Sequence, residues 1–161
     1  MPAATPAPPT LDAIDSKILE ILQRDGRISN VDLAAQIHLS PPQCFRRVRA
    51  LEERGVLQGY RALVAPASLG LGVTAFVSLN IEAQAFARVR ELEALLRDFP
   101  QILECHTVSG DCDYLLKVVA SDLKALSQFL TDKLMQLEGV ADVRSMICLE
   151  EIKPPSGLPV R

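Results

Sequence analysis

The chain has 161 residues, of which 48% are hydrophobic and 4% aromatic, and its formal net charge is -3. This length allows one large domain or two small ones, and the composition indicates cores built from aliphatic side chains. No apolar run approaches the length of a membrane span and no signal peptide is evident, so we expect a cytoplasmic protein rather than a membrane or exported one. The cysteines lack zinc-finger and C-x-x-C spacing, so no metal site is expected: Cys44, Cys105, Cys112 and Cys148.

Residues 1–10 are rich in proline and alanine, and this composition predicts a disordered tail. A first helix follows, with Ile14, Ile18, Ile21 and Leu22 spaced to form one apolar face. Residues 1–63 carry eight Lys or Arg and seven Asp or Glu, a net charge of +1, whereas residues 64–161 carry nine and thirteen, a net charge of -4. Any positive field is therefore local to the first half.

Two short helices joined by a tight turn are predicted between residues 29 and 54. Ser29 precedes Asp32 by three residues and Ser40 precedes Gln43 by three, and both pairs have the spacing of a capping box. Pro41 then occupies the first helical position, where its missing N–H costs nothing. Residues 38–39 leave room only for a short turn, which is the helix-turn-helix arrangement. Residues 11–59 are therefore predicted to form a winged-helix-like DNA-binding domain.

The second of these helices, predicted over residues 41–54, divides into an apolar and a basic side at 3.6 residues per turn. The apolar side contains Cys44, Phe45, Val48 and Leu51. The basic side is predicted to stay free and to bind DNA, because arginine bonds guanine edges bidentately and also binds phosphate. The predicted DNA-binding residues are Ser40, Gln43, Arg46, Arg47, Arg49 and Arg54.

An ordinary amphipathic helix with a solvated basic face is the alternative interpretation of this segment. Glu52 and Glu53 weaken an argument from charge alone. Gln43 has its own alternative, because the glutamine of a capping box can be occupied by the backbone. The two capped helices and the tight turn favour DNA binding.

The second half is predicted to be a β-α-β-β-α-β domain over residues 74–153. Residues 60–73 form a connecting strand, at 60–64, and a hinge, while residues 154–161 form a C-terminal tail. The predicted strands and helices, in chain order, are 74–81, 85–99, 102–108, 114–120, 123–137 and 143–152. Such a split β-α-β unit makes a four-stranded antiparallel sheet with both helices on one face, a ferredoxin-like sandwich. The fold class of the whole chain is therefore α+β.

The first of these strands alternates between two sets of side chains. One set is Ala75, Val77, Leu79 and Ile81, and the other is Phe76, Ser78 and Asn80. The helices can cover only one face, so the face that carries Phe76 predicts a partner subunit. We expect a homodimer at least, which also suits a helix-turn-helix protein that reads two half-sites.

Four stretches of the chain, taken together and in this order, match the sequence pattern of a known family. They are LDAIDSKILEILQRDGRISNVDLAAQI, LSPPQCFRRVRALEERGVLQGYRALV, ECHTVSGDCDYLLKV and LEGVADVRSMICLEEIK, and they span residues 11–153. Together they resemble the leucine-responsive and asparagine-responsive transcriptional regulators, the Lrp/AsnC (feast/famine) family. The resemblance implies promoter binding by the first domain, and dimers that commonly assemble to octamers through the second.

The resemblance also implies an amino-acid effector site at a Gly-Asp-x-Asp-Tyr loop and nearby strand ends, between dimers. On this chain its residues are Gly110, Asp111, Asp113 and Tyr114, with Thr107, Ser109, Met135 and Met146 as lining. Asp113 is expected to accept the ammonium group of the amino acid, and the N–H groups of the glycine turn to donate to its carboxylate. A turn-forming pair of aspartates without a ligand is the alternative.

Two positions depart from the pattern of the family. Cys112 stands where an aromatic residue is frequent, which can alter the shape of the pocket or add thiol chemistry. The segment Ser40-Pro41-Pro42-Gln43-Cys44 stands where Ser-Pro-Thr-Pro-Cys is frequent, so a different DNA preference can follow.

Three functions are compatible with these features of the sequence. The first is a sequence-specific transcriptional regulator whose DNA binding or assembly responds to an amino acid. The second is an architectural DNA-binding protein of the same fold that ignores small molecules. An enzyme is the least favoured, because the chain has only His38 and His106 and neither a Gly-rich phosphate loop nor a Ser/His/Asp constellation. The expected partners are double-stranded promoter DNA, further copies of the chain and an amino acid, with no cofactor and no membrane.

Overall fold

The computed structural model describes residues 10–160, apart from the side chain of Phe86. The chain divides into a helical unit, made of residues up to 63 together with 153 onward, and a sheet unit of residues 64–152. The predicted disordered tail lies almost entirely outside the described residues. No helix among the described residues is long and apolar enough to cross a membrane.

Three helices, each started by a side-chain cap, build the helical unit: α1 (Ala13–Arg24), α2 (Asn30–Gln36) and α3 (Pro41–Glu53). The N–H of Asp15 donates to Asp12 at 2.7 Å at the start of α1, and the N–H of Asp32 donates to Ser29 at 3.1 Å at the start of α2. At the start of α3 the Oε1 of Gln43 accepts the N–H of Ser40 at 3.2 Å. The predicted capping pairs are therefore confirmed, and each satisfies a backbone group that the first turn leaves without a partner.

The turn between α2 and α3 is as short as the sequence predicts, and its sharpness strains His38. This residue has a φ of 56°, in the left-handed region that side chains with a Cβ rarely adopt. The N–H of Leu39 then donates to the carbonyl of Ala34 at 3.0 Å and closes the turn. The fold therefore keeps a strained residue where glycine would be relaxed.

Replacing His38 by glycine is expected to raise the free energy of unfolding of the helical unit by up to about 1 kcal/mol, because relief of the left-handed strain exceeds the entropy that glycine loses on folding. His38→Ala is the matched control, since alanine keeps the strain. Chemical denaturation of the full chain measures both. Equal midpoints for the two variants would show that His38 is not strained in solution.

The core of the helical unit lies where the three helices meet. Its fully buried side chains are Ile18, Leu33, Ala34, Cys44 and Leu51. Cys44 behaves as a small apolar residue there, and burial raises the pKa of its thiol. Phe45, however, was predicted on the same buried side and is 57% exposed. The prediction was wrong because Phe45 is turned about 100° from Cys44, beyond the edge of the contact with the other helices.

The C-terminal segment is part of the helical unit rather than a free tail. The side-chain amide of Gln23, on α1, donates to the carbonyl of Leu158 at 3.1 Å, and the N–H of Leu158 donates back to the oxygen of the same amide. Val160 packs against the helical core. The sequence alone gave no sign of this docking.

Four antiparallel strands form the sheet of the second unit in the order β2-β3-β1-β4. They are β1 (Val73–Ile81), β2 (Ile102–Thr107), β3 (Tyr114–Ala120) and β4 (Val140–Ile147), with the helices α4 (Val89–Asp98) and α5 (Leu123–Asp132) in between. Val77 pairs with Leu116 of β3, and Phe76 pairs with Met146 of β4. This is the predicted β-α-β-β-α-β sandwich, so the α+β fold class is confirmed.

Several predicted boundaries were wrong. Residues 60–64 form no strand, and 3-10 turns at Ala83–Arg88 and Leu134–Gln136 replace the first turn of α4 and the last turns of α5. β4 begins and ends earlier than predicted, because its pairing with β1 sets its ends. It starts where Val140 meets Ile81, across a register shift, and the N–H of Cys148 closes the ladder on the carbonyl of Thr74 at 2.9 Å.

The two faces of the sheet differ as the alternation of β1 predicts. Ala75, Val77 and Leu79 are fully buried under the two helices, which contribute among others Leu96 and Phe129. The opposite face, which we call the open sheet face, exposes Phe76 by 38% and Met146 by 59%.

Candidate DNA-binding surface and effector cleft

All six predicted DNA-binding residues lie on α3 or at its ends, but the structure gives them different tasks. Ser40 and Gln43 form the cap, with the hydroxyl of Ser40 donating to the Oε1 of Gln43 at 2.9 Å. The alternative for Gln43 is therefore the observed one, and its amide nitrogen is the group that remains for DNA.

Arg46 is exposed on the outer side of α3. Within the part of the chain that the structure describes, its guanidinium makes neither an ion pair nor a hydrogen bond. An exposed, unpaired cation on the outer side of the second helix of a helix-turn-helix is suited to contact with a base or a phosphate.

Arg47 is held by α1 instead of being free as predicted. Its Nη1 lies 2.7 Å from Asp12 Oδ2 and 2.7 Å from Asp15 Oδ1. Hydrogen bonding to these two carboxylates raises the pKa of Arg47, while the backbone N–H of Asp15 and then Arg47 lower the pKa of Asp12. The side chain of Asp15 is only 11% exposed. The interaction joins α3 to the start of α1, so Arg47 orients the helix rather than presenting a free charge.

The remaining two arginines are also engaged. Arg54 donates to the carbonyl of Thr10 at 2.9 Å and lies 3.9 Å from Asp15. Arg49 lies 3.7 Å from Glu52. The prediction of a wholly free arginine face was therefore wrong, because a helical projection shows which residues point outward but not which acids a neighbouring helix brings to them.

The loop from 108 to 113 connects β2 to β3 and carries most of the predicted effector residues. The N–H of Val108 donates to the carbonyl of Asp113 at 3.1 Å. Gly110 has a φ of 133°, so the turn requires glycine there. Ser109, Gly110 and Asp111 are exposed. The tip of the loop, with the side chain of Asp111, is thus open to solvent.

Asp113 is turned toward the sheet instead. Its carboxylate accepts the N–H of Ile81 at 2.9 Å, and its own N–H donates to Leu79 at 3.1 Å and to the side chain of Asn80 at 3.2 Å. These bonds tie the loop to the end of β1. One of the two carboxylate oxygens of Asp113 is therefore used by the backbone of β1, and the predicted role of Asp113 as the acceptor for an ammonium group stays a prediction.

A cleft of about 440 Å³ lies beside this loop, between α4 and β2. Polar residues of its lining are Arg90, Glu93, Arg97, Glu104, Cys105, Thr107 and Tyr114. The phenol of Tyr114 donates to Glu93 Oε1 at 3.1 Å, while Glu93 Oε2 lies 2.8 Å from Arg90 and 3.8 Å from Arg97. The cleft therefore combines two carboxylates, those of Glu93 and Glu104, with two guanidinium groups.

The surroundings of Tyr114, Glu93 and Cys105 shift the pKa of each side chain in the direction that preserves its usual protonation state at neutral pH. Burial, followed by the hydrogen bond to Glu93, raises the pKa of Tyr114 to about 12, so the phenol stays a donor at neutral pH. The hydrogen bond from Arg90 comes first among the interactions that lower the pKa of Glu93, so this carboxylate stays ionised. Partial desolvation, followed by the negative charge of Glu93, raises the pKa of Cys105, which keeps its thiol protonated at neutral pH.

The structure brings together only part of the predicted effector set. Thr107 and Tyr114 line the cleft and the loop residues border it in sequence, but Met135 and Met146 are not in its lining. They are 54% and 59% exposed, Met135 in the turn after α5 and Met146 on the open sheet face. Sequence reasoning missed Arg90, Glu93 and Arg97, although their spacing of three and four residues on one helix is a signal of mutual contact. Among the described residues, no cluster of His, Cys, Asp and Glu could hold a metal ion.

Comparison with known proteins gives both units a family. Residues 11–58 match the family model described as winged helix-turn-helix DNA-binding, and residues 74–158 match the Lrp/AsnC ligand binding domain. The leucine-responsive regulatory protein of Salmonella typhimurium is 42% identical over 151 residues, which cover 94% of this chain and 92% of the relative. That of Rhizobium meliloti is 43% identical over 143 residues, which cover 89% and 92%.

Solved structures agree with these relatives. The L-Met complex of a transcriptional regulator from Neisseria meningitidis matches with a TM-score of 0.89 and 40% identity, covering 93% of this chain and 97% of that one. An AsnC family transcriptional regulator from Agrobacterium tumefaciens matches with a TM-score of 0.87 and 36% identity, covering 92% and 97%. The resemblance found in the sequence is confirmed, and the chain belongs to the Lrp/AsnC family of helix-turn-helix transcriptional regulators, which are not enzymes.

Proposed function

We propose that this regulator binds promoter DNA in a way that responds to an α-amino acid with an apolar side chain, held in the cleft between α4 and β2. The cleft carries the proposal, because it offers both charges that a zwitterion needs to meet. Glu93 can accept the ammonium group, and Arg90 and Arg97 can donate to the carboxylate. The cleft volume of about 440 Å³ lies within the ordinary range for small-molecule sites.

The apolar side of the same cleft supports an aliphatic or thioether side chain on the ligand. Leu96, Ile102 and Leu103 line it. The related regulator from Neisseria meningitidis was crystallised with L-Met, and the curated relatives are leucine-responsive. Leucine and methionine are therefore the first candidates.

The predicted residues in and beside the loop also contribute to the effector site. Thr107 and Tyr114 contact the ligand, while Ser109, Gly110 and Asp111 close over it. Asp113 acts as a positioning residue, because its bond to the N–H of Ile81 fixes the loop on β1. Met135 and Met146 reach the effector only where another copy brings them to the cleft. We propose that the open sheet face pairs two copies and that dimers assemble further, to an octamer.

The mechanism is a shift between assemblies that space the recognition helices differently. An amino acid can move this equilibrium only by its differential affinity for the assemblies, typically about 1–3 kcal/mol of coupling. As a promoter-binding regulator acts where the chromosome is, we place its action in the cytoplasm, on the nucleoid.

A gel-shift titration tests the proposal. The probe is the DNA upstream of the protein's own coding region, compared with an unrelated duplex of equal length, with and without leucine, methionine and a pool of the other common amino acids. We expect leucine or methionine to change the affinity roughly five- to 150-fold. Specific binding that ignores every amino acid would instead support an architectural, effector-independent protein.

Glu93→Gln is expected to raise the amino-acid concentration needed for half of this response by at least about tenfold, because it removes the charge that meets the ammonium group. DNA binding without the amino acid should not change. Glu91→Gln is the matched control, since Glu91 lies on the same helix, is exposed and pairs with Arg88. An equal response in the two variants would remove the cleft from the effector site.

A further inference from the structure

Phe45 is a large apolar side chain on the DNA-reading helix that the fold does not use. It is the fifth residue of α3 and is 57% exposed, whereas its neighbour Cys44 is fully buried and Leu51 is 1% exposed. Phe45 is neither among the buried core residues of the helical unit nor among the residues that pack against them. An exposed aromatic ring in the N-terminal half of a recognition helix lies where base edges are contacted.

The ring is positioned by a second residue of the same helix. The guanidinium carbon of Arg49 lies 5.9 Å from the centroid of the Phe45 ring, within the range of a cation–π contact. Arg49 is in turn held at 3.7 Å by Glu52. Phe45 is thus supported from the C-terminal side of the helix, with Arg46, the unpaired cation, next to it in sequence.

The major groove presents few apolar groups to such a ring. Guanine, cytosine and adenine offer only hydrogen-bond donors and acceptors there, whereas thymine also offers its C5-methyl group. We propose that Phe45 is a specificity-determining residue that packs on a thymine methyl group, while Arg49 holds the ring and Arg46 binds a neighbouring guanine edge or phosphate. The inference rests on DNA binding by α3 but not on the proposed effector.

Deoxyuridine substitution tests this contact directly, because it removes the methyl group and leaves the hydrogen-bonding edge unchanged. A duplex is first selected from a random library with the full-length protein, and each thymine is then replaced singly by deoxyuridine. Dissociation constants are measured by fluorescence anisotropy at one fixed salt concentration. We expect at least one replacement to weaken binding about fourfold, which corresponds to losing the burial of one methyl group.

The variant proteins decide whether Phe45 is responsible. Phe45→Ala should bind the thymine and deoxyuridine duplexes equally at that position, while Phe45→Leu should keep part of the difference. The dependence of affinity on salt should stay the same, because no phosphate contact is lost. Leu95→Ala, at another exposed apolar residue, is the control and should keep the full difference. Circular dichroism and size-exclusion chromatography monitor the fold and the assembly of each variant.

Two results would overturn the proposal. One is a deoxyuridine penalty that is the same in the Phe45→Ala protein and in the unaltered one at every thymine. The other is a Phe45→Ala protein that keeps the penalty but changes its assembly, which would make the ring a contact between copies of the chain. This experiment contains no amino acid. Its result therefore does not depend on whether an amino acid affects DNA binding.

Discussion

Arg46→Ala is expected to weaken binding to target DNA by about 1–3 kcal/mol, roughly five- to 150-fold, without lowering stability. Arg46 is exposed and makes no interaction among the described residues, so the folded protein loses nothing when it is removed. Fluorescence anisotropy over a range of salt concentrations measures the loss. A phosphate contact would reduce the salt slope by about one, whereas a base contact would relax the preference at one position.

Arg47→Ala provides the contrast within the same helix. It should lower the free energy of unfolding by about 1–2 kcal/mol, because Asp15, with a side chain only 11% exposed, loses its closest cation. DNA binding should weaken as a consequence of a less fixed α3, with the salt slope unchanged. Loss of stability in the Arg46 variant, or a change of salt slope in the Arg47 variant, would reverse the roles assigned to the two arginines.

Leu51→Ala is expected to have the largest effect on stability, a loss of about 2–5 kcal/mol. Leu51 is 1% exposed and belongs to the one cluster that holds the three helices together. A helical unit of this size has little stability in reserve, so we expect α1–α3 to open and DNA binding to be lost. Hydrogen exchange measured by mass spectrometry should show faster exchange in α1–α3 than in β1 and β3.

Leu63→Ala is the control for this change, because Leu63 is 82% exposed. It should alter the free energy of unfolding by no more than about 0.5 kcal/mol. Equal exchange rates in the helices of the two variants would mean that Leu51 does not hold the helical unit together.

Features set by neighbouring residues were predictable from the sequence. The caps at Ser29 and Ser40 involve partners three residues away, and the alternation of β1 follows from the strand period alone. The four-stranded antiparallel sheet followed from the β-α-β-β-α-β pattern. In each case the feature depends on interactions between residues a few positions apart or on a pattern that repeats regularly along the chain.

Features set by distant residues were not predictable. Arg47 meets Asp12, which lies 35 positions away, and Tyr114 meets Glu93, which lies 21 positions away. No periodicity within α3 or α4 reports such a contact. Asp113 illustrates the same limit, because a loop aspartate can face a ligand or the end of a neighbouring strand, and only the packing of the loop on β1 decides between them.

The docking of residues 158 and 160 on the helical core makes the DNA-binding unit discontinuous in sequence. The sheet unit is an insertion into it, and the backbone crosses between the units twice, once before residue 64 and once after residue 152. A fragment that stops at residue 63 would lack the bonds to Gln23 and the packing of Val160.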